Sequence, residues 1–184
     1  MKTYVVLLRG INVGGKNKVP MGELRRCLEG LGFANVTTYI ASGNVILDSE
    51  RDPEDIRRGI EAALPGHFRL DVELIKVLVL SCDQLQAVVD AKPAGFGEQP
   101  GVYLCDAIFL IDIDSEEAMA VFDPRDGVDR VWPGPGVIYS ERVSAERTKS
   151  RLGKVAATPA YRCMTIRGWN TTVKLAELCR QRGA

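Results

Sequence analysis

The sequence predicts an α+β chain made of two tandem ferredoxin-like (βαββαβ) halves followed by a C-terminal helix. Short β-rich runs alternate with helical periodicity in the order β-α-β-β-α-β, and the order then repeats. Between the two passes, residues 92–101 hold two Pro and three Gly, the composition of a linker. A length of 184 residues, with 46% hydrophobic and 26% charged side chains, suits a globular chain and excludes fibrous or disordered classes. The expected division is therefore 1–91, a linker at 92–101, and 102–184.

Taken in order, residues 4–8 form an apolar strand. Residues 21–31 place Leu24, Leu28 and Leu31 at helical spacing, after Pro20 and before Gly32. Runs at 36–40 and 45–47 flank Ala41-Ser42-Gly43-Asn44, a hairpin signal. Asp52-Pro53 opens a helix whose buried stripe is Ile56, Ile60, Ala63 and Leu64. Residues 72–80 make the fourth strand. Ser81 and Gln84 form a capping box for a helix reaching about Ala91. The second pass has strands at 102–111, 128–132, 137–140 and 162–166. Its helices are expected at 115–121, 144–154 (a basic one) and 171–182. Residues 4–8, 74–80 and 107–111 are nearly continuous apolar runs, as in strands covered on both faces. The covering element is expected to be the other half or, in a homodimer, a second copy.

No apolar run is long enough for a signal-peptide core or a membrane span, so no membrane association is expected. Cys27, Cys82, Cys105, Cys163 and Cys179 are odd in number and widely spaced. Reduced thiols in a cytoplasm are expected, with no metal site and no cofactor. His67 is the single histidine, in a loop that ends a helix. Formal net charge is zero, yet residues 1–26 carry +5, residues 142–184 carry +8 and the middle −13. This asymmetry reads either as acidic solvated faces clustered in the middle or as basic termini that meet in one positive surface.

The first strand runs into Arg9-Gly10-Ile11-Asn12-Val13-Gly14-Gly15-Lys16-Asn17-Lys18. Glycines let backbone N–H groups converge on an anion, and Arg9, Lys16 and Lys18 add charge. The spacing Gly10-x-x-x-x-Gly15-Lys16 approaches a P-loop. Asn17 replaces the required Ser or Thr, however, and Pro20 starts the helix too late. Two readings stand: a structural β-to-α connection, or an anion-binding loop using Arg9, Gly10, Asn12, Gly14, Gly15, Lys16 and Asn17.

Near the C-terminus, Arg162 and Arg167 alternate along a strand before Trp169, Asn170 and Lys174. Trp169 reads as a staple over the start of the last helix, with Asn170 or Thr171 as N-cap. Alternatively, Arg167, Trp169, Asn170 and Lys174 supply an aromatic ring among cations for a nucleotide.

At these two segments the sequence resembles the bacterial domain of unknown function 1697 family. The resembling residues are Arg9 to Gly15 with Asn17, Met21 and Leu24, then Gly32-Phe33, Thr38-Tyr39 and Ser42-Gly43-Asn44-Val45. The tail Thr165-Ile166-Arg167-Gly168-Trp169-Asn170-Thr171 with Lys174-Leu175 fits the same pattern, with Gly168 where Asn is expected. The resemblance implies a cytoplasmic α/β protein of two ferredoxin-like halves and supplies no activity. The expected function is binding of a phosphate-bearing ligand (nucleic acid, nucleotide or phosphometabolite) at the glycine loop. The alternatives are an enzyme on a small anionic substrate, whose catalytic residues the sequence leaves unassigned, and a structural or interaction protein.

Overall fold

A computed structural model of the chain describes residues 1–183. The chain divides into two compact units, Met1–Leu85 with the chain from Leu175 onward, and Gln86–Lys174. In the first unit the elements are β1 (Lys2–Leu8), α1 (Met21–Gly30), β2 (Ala34–Tyr39), β3 (Asn44–Ser49), α2 (Pro53–His67) and β4 (Val77–Ser81). The strands form one antiparallel sheet in the order β2-β3-β1-β4. On one face Tyr4, Val6 and Leu8 join Val45, Leu47, Val77 and Val79 against Leu24 and Leu28 of α1 and Ile56, Ile60 and Leu64 of α2. On the other face Val5, Leu7 and Ile46 are equally buried. The continuous apolar run in β1 thus reflects burial on both sides.

Local chemistry explains the ends of these elements. Asp52 caps α2 by accepting a hydrogen bond from the Asp55 amide at 2.9 Å, with Pro53 following in the first turn. In the β2–β3 hairpin, a Cβ on Gly43 would stand 3.0 Å from atoms of Leu8 and Ile11, and its φ is +81°. Only glycine fits there without strain. The fourth strand is shorter than expected: β1 ends at Leu8 opposite Val77, and beyond that pair the Arg9 amide donates to the Lys76 carbonyl at 2.9 Å. The helix expected to end before His67 runs through Pro65 to that residue, whose Nδ1 lies 2.9 Å from the Ala63 carbonyl.

α3 (Cys82–Asp90) leads into the second unit. The expected capping box is present: Ser81 Oγ accepts from the Gln84 amide, and Gln84 Oε1 from the Ser81 amide. β5 (Tyr103–Leu110), α4 (Ser115–Met119), β6 (Asp129–Gly134), β7 (Val137–Val143) and β8 (Met164–Gly168) follow. Their sheet is again antiparallel, in the order β6-β7-β5-β8. Ile108, Leu110, Ile138 and Met164 pack with Ala118 of α4 and with Val155.

Two expectations fail here. The basic helix at 144–154 is replaced by three 3-10 turns, Ser144–Lys149, Leu152–Ala157 and Pro159–Cys163. The Arg151 amide, which a continuing α-helix would give to the residue 147 carbonyl, donates instead to Asp129 Oδ2 at 2.7 Å. Within residues 92–101, Phe96 is 1% exposed and meets Trp132, Tyr139 and Trp169 edge to face. The last helix, α5 (Trp169–Gly183), begins two residues earlier than expected, and its part from Leu175 groups with the first unit.

The thiol expectation is also corrected. Cys82 and Cys179 form a disulfide between residues 97 apart, with Cα atoms 5.6 Å apart. Cys27, Cys105 and Cys163 are not disulfide-bonded.

Candidate functional site

The loop after β1 is held together by its asparagines. Asn12, at φ +55°, donates from its backbone amide to the Asn17 carbonyl at 3.0 Å. Its Nδ2 donates to the carbonyls of Val19 and Ala41 at 2.9 and 2.8 Å, and its Oδ1 accepts from the Val19 amide at 2.8 Å. Asn17, at φ +47°, donates from Nδ2 to the Gly10 carbonyl at 3.0 Å. It also exchanges two hydrogen bonds with Asp71: its amide donates to Asp71 Oδ2 at 2.6 Å, and its Oδ1 accepts from the Asp71 amide at 2.8 Å. Asparagine tolerates the left-handed region because its short side chain can bond locally. These residues lock the base of the loop, and the amides of Asn12, Lys16, Asn17 and Val19 are engaged internally.

Within residues 10–17 the amides of Asn12, Lys16 and Asn17 thus already have internal acceptors. What remains outside the brace is the tip. The Lys16 amide donates to the Val13 carbonyl at 3.0 Å, closing a tight turn with Gly14 and Gly15 at φ +58° and +77°. Two successive positive φ values suit glycine. Among the described residues, the Gly14 and Gly15 amides have no acceptor, and Lys16 and Lys18 have no ion-pair partner. Val13 is 65% exposed. The second loop, tied on through Asn12 to Ala41, presents Ile40, 52% exposed at φ +48°. A β-branched residue is strained in that conformation.

The C-terminal cluster lies in other surroundings. Trp169 is buried, edge to face with Phe96 and Tyr139 at 5.1 and 6.1 Å between centroids. Its ring is a core element and no open platform for a base. Arg167 is 5% exposed, and its Nη1 donates to Thr165 Oγ1 and the Ile166 carbonyl at 2.8 Å each. Burial pushes its pKa down to about 10. Both side chains thus lie in the interior of this structure. Lys174 is half-buried and Asn170 is exposed.

Asn170 and Thr171, in the first turn of α5, line a cleft of about 260 Å³ together with Tyr103, Cys105, Asp106 and Arg142. Arg142 Nη2 donates to Asp106 Oδ2 at 3.2 Å. Burial raises the Asp106 carboxyl pKa against the opposing pull of Arg142. Cys105 is pushed up to about 11, first by burial, with the Gly97 amide lowering it and Glu141 raising it further, so its thiol stays protonated near neutrality. Sequence reasoning missed Asp71 and this cleft, because neither carries a local signal. Among the described residues no three His, Cys, Asp or Glu side chains cluster as a metal site, and no helix is long and apolar enough to cross a membrane.

Two antiparallel four-stranded sheets with helices define a mixed α+β protein. The DUF1697 family, described as proteins of unknown function, matches residues 1–139, and the chain belongs to that family. A curated relative from Rhodospirillum rubrum named phosphoglycolate phosphatase is 29% identical over 140 residues, covering 70% of this chain and 54% of its own. The chain thus spans about half that relative's length. A solved structure of a conserved bacterial protein from Streptococcus pneumoniae covers 97% of this chain and 98% of its own, at 28% identity and a TM-score of 0.82.

Proposed function

We propose that the loop 9–18 binds the phosphate backbone of a nucleic acid. The observation that carries this reading is the split within the loop: its base is locked by Asn12, Asn17 and Asp71, while Gly14, Gly15, Lys16 and Lys18 stand outside. Locking the base lowers the entropy cost of presenting the tip. The sequence has no carboxylate from residue 9 to residue 22, so the tip is cationic. A projecting turn cannot enclose a small metabolite, and a convex cationic tip fits an extended phosphate backbone better. The reading places the chain in the cytoplasm, and it takes each unit as a ferredoxin-like half, in keeping with the strand orders β2-β3-β1-β4 and β6-β7-β5-β8.

Fluorescence anisotropy with a labelled single-stranded oligonucleotide tests it. Contacts to two or three phosphates should weaken binding about ten- to a hundredfold between about 50 and about 300 mM salt. The double variant Lys16→Ala/Lys18→Ala should lose most of this salt dependence, and Arg25→Ala, outside the loop, should not. Binding that is equal at both salt concentrations, or unaffected by the double variant, contradicts the reading.

The α5 cleft favours a second reading, an enzyme on a small anionic substrate. First-turn amides and Arg142 suit a phosphate group, and the relative's name suggests phosphoglycolate as a probe. Release of inorganic phosphate from phosphoglycolate, abolished by Asp106→Asn, would support it. No release would remove it.

A further inference from the structure

We propose that the Cys82–Cys179 disulfide is a redox-sensitive clamp that holds Arg182 of α5 over the edge strand β2. β2 is the outermost strand of its sheet, and an edge strand presents backbone groups that can pair with another chain. Here the edge is guarded twice. The β2–β3 register shifts between Ala34 and Thr37, with Asn35 at φ +49°, and such an irregularity blunts strand pairing. The Arg182 guanidinium then closes over the same place, with Nη1 donating to the Asn35 and Ile46 carbonyls at 2.6 and 3.3 Å and Nη2 to Thr37 Oγ1 at 2.5 Å. The disulfide lies one helical turn before Arg182 on α5 and anchors that helix to Cys82, the first residue after β4.

A reductant has uneven access to the two sulfurs. Cys179 is fully buried, and Cys82 is half-buried. A dithiol of the thioredoxin class would attack Cys82 Sγ as its thiolate, forming a mixed disulfide and releasing the Cys179 sulfur, which takes up a proton. The second thiol of the reductant then breaks the mixed disulfide, Cys82 becomes a thiol, and the reductant leaves as its own disulfide. Two electrons pass from reductant to protein. Without the crosslink to Cys82 the last turns of α5 are held less tightly, and the guard over β2 opens more often.

Amide hydrogen exchange on the intact chain reads the clamp directly. Treatment with thioredoxin-class dithiol should speed exchange in residues 176–182 and in β2 about tenfold, with β5 and β7 unchanged. Cys82→Ser should reproduce that pattern without reductant. Arg182→Gln, with the disulfide intact, should speed exchange in β2 alone. A bond that survives the dithiol in the native chain, or exchange unchanged after its reduction, marks a static crosslink and overturns the proposal. Unchanged β2 exchange in Arg182→Gln overturns the role of Arg182.

Discussion

Asn17 and Asp71 lie 54 residues apart and exchange two hydrogen bonds, amide to carboxylate at 2.6 Å and amide to side-chain carbonyl at 2.8 Å. This reciprocal pair joins the glycine loop to the segment that enters β4.

If the pair locks the loop base, its loss should be costly and coupled. Asn17→Ala removes hydrogen bonds to Gly10 and Asp71 and places alanine in the left-handed region, together about 2–4 kcal/mol. Asp71→Ala should cost about 1–2 kcal/mol. In a double-mutant cycle by urea unfolding, the two should couple by at least about 0.5 kcal/mol. Strict additivity would contradict the brace.

Ile40 predicts a gain. Its φ of +48° costs an L-residue roughly 1–2 kcal/mol, and asparagine tolerates that conformation better. Ile40→Asn should stabilise by about 1 kcal/mol and raise Tm by about 2–4 °C. A lower Tm in calorimetry would mean that Ile40 makes contacts worth more than its strain.

Gly97 sits under the Trp169 ring at φ +76°, and a Cβ there would fall 2.2 Å from Trp169 Cδ1. Gly97→Ala should cost about 3 kcal/mol from overpacking and backbone strain together. It should also weaken the near-ultraviolet circular dichroism of the aromatic cluster. A neutral effect on the urea midpoint would show that the ring is loosely held.

Asp129 sets an acid-side dependence. Burial alone would raise its pKa, but hydrogen bonds from Ser150, Arg151 and Arg125, with the charge of Arg142, outweigh burial and hold it below the usual value. A carboxylate depressed in the folded state contributes stability above its unfolded pKa near 4, and that stability is lost as pH falls through the lowered value. Asp129→Asn should therefore be destabilised at about pH 7, with a deficit that shrinks by about pH 3. Urea unfolding at the two pH values decides it, and a constant deficit would contradict this role.

Much of the element order was legible because β1, β4 and β5 announce themselves by apolar runs, and the starts of α2 and α3 by the capping chemistry of Asp52-Pro53 and Ser81/Gln84. The 144–154 stretch was misjudged because what diverts it is Asp129, a partner 22 residues away from Arg151. The glycine loop looked like an amide cradle because glycine and asparagine serve equally for ligand approach and for tight internal turns. The positions of Asp71, Val19 and Ala41 around the two asparagines separate the two uses. Cys82 and Cys179 carry no spacing signal, since the fold alone brings them together across 97 residues.

The most direct test of the loop account is a nitrogen–proton NMR titration of the chain with a short oligonucleotide. The account predicts chemical-shift changes centred on Gly14, Gly15 and Lys16, with the amides of Asn12 and Asn17, already engaged at the base, staying put. Changes confined to Asn170 and Thr171 at the α5 cleft, or none in the loop at saturating oligonucleotide, would contradict it.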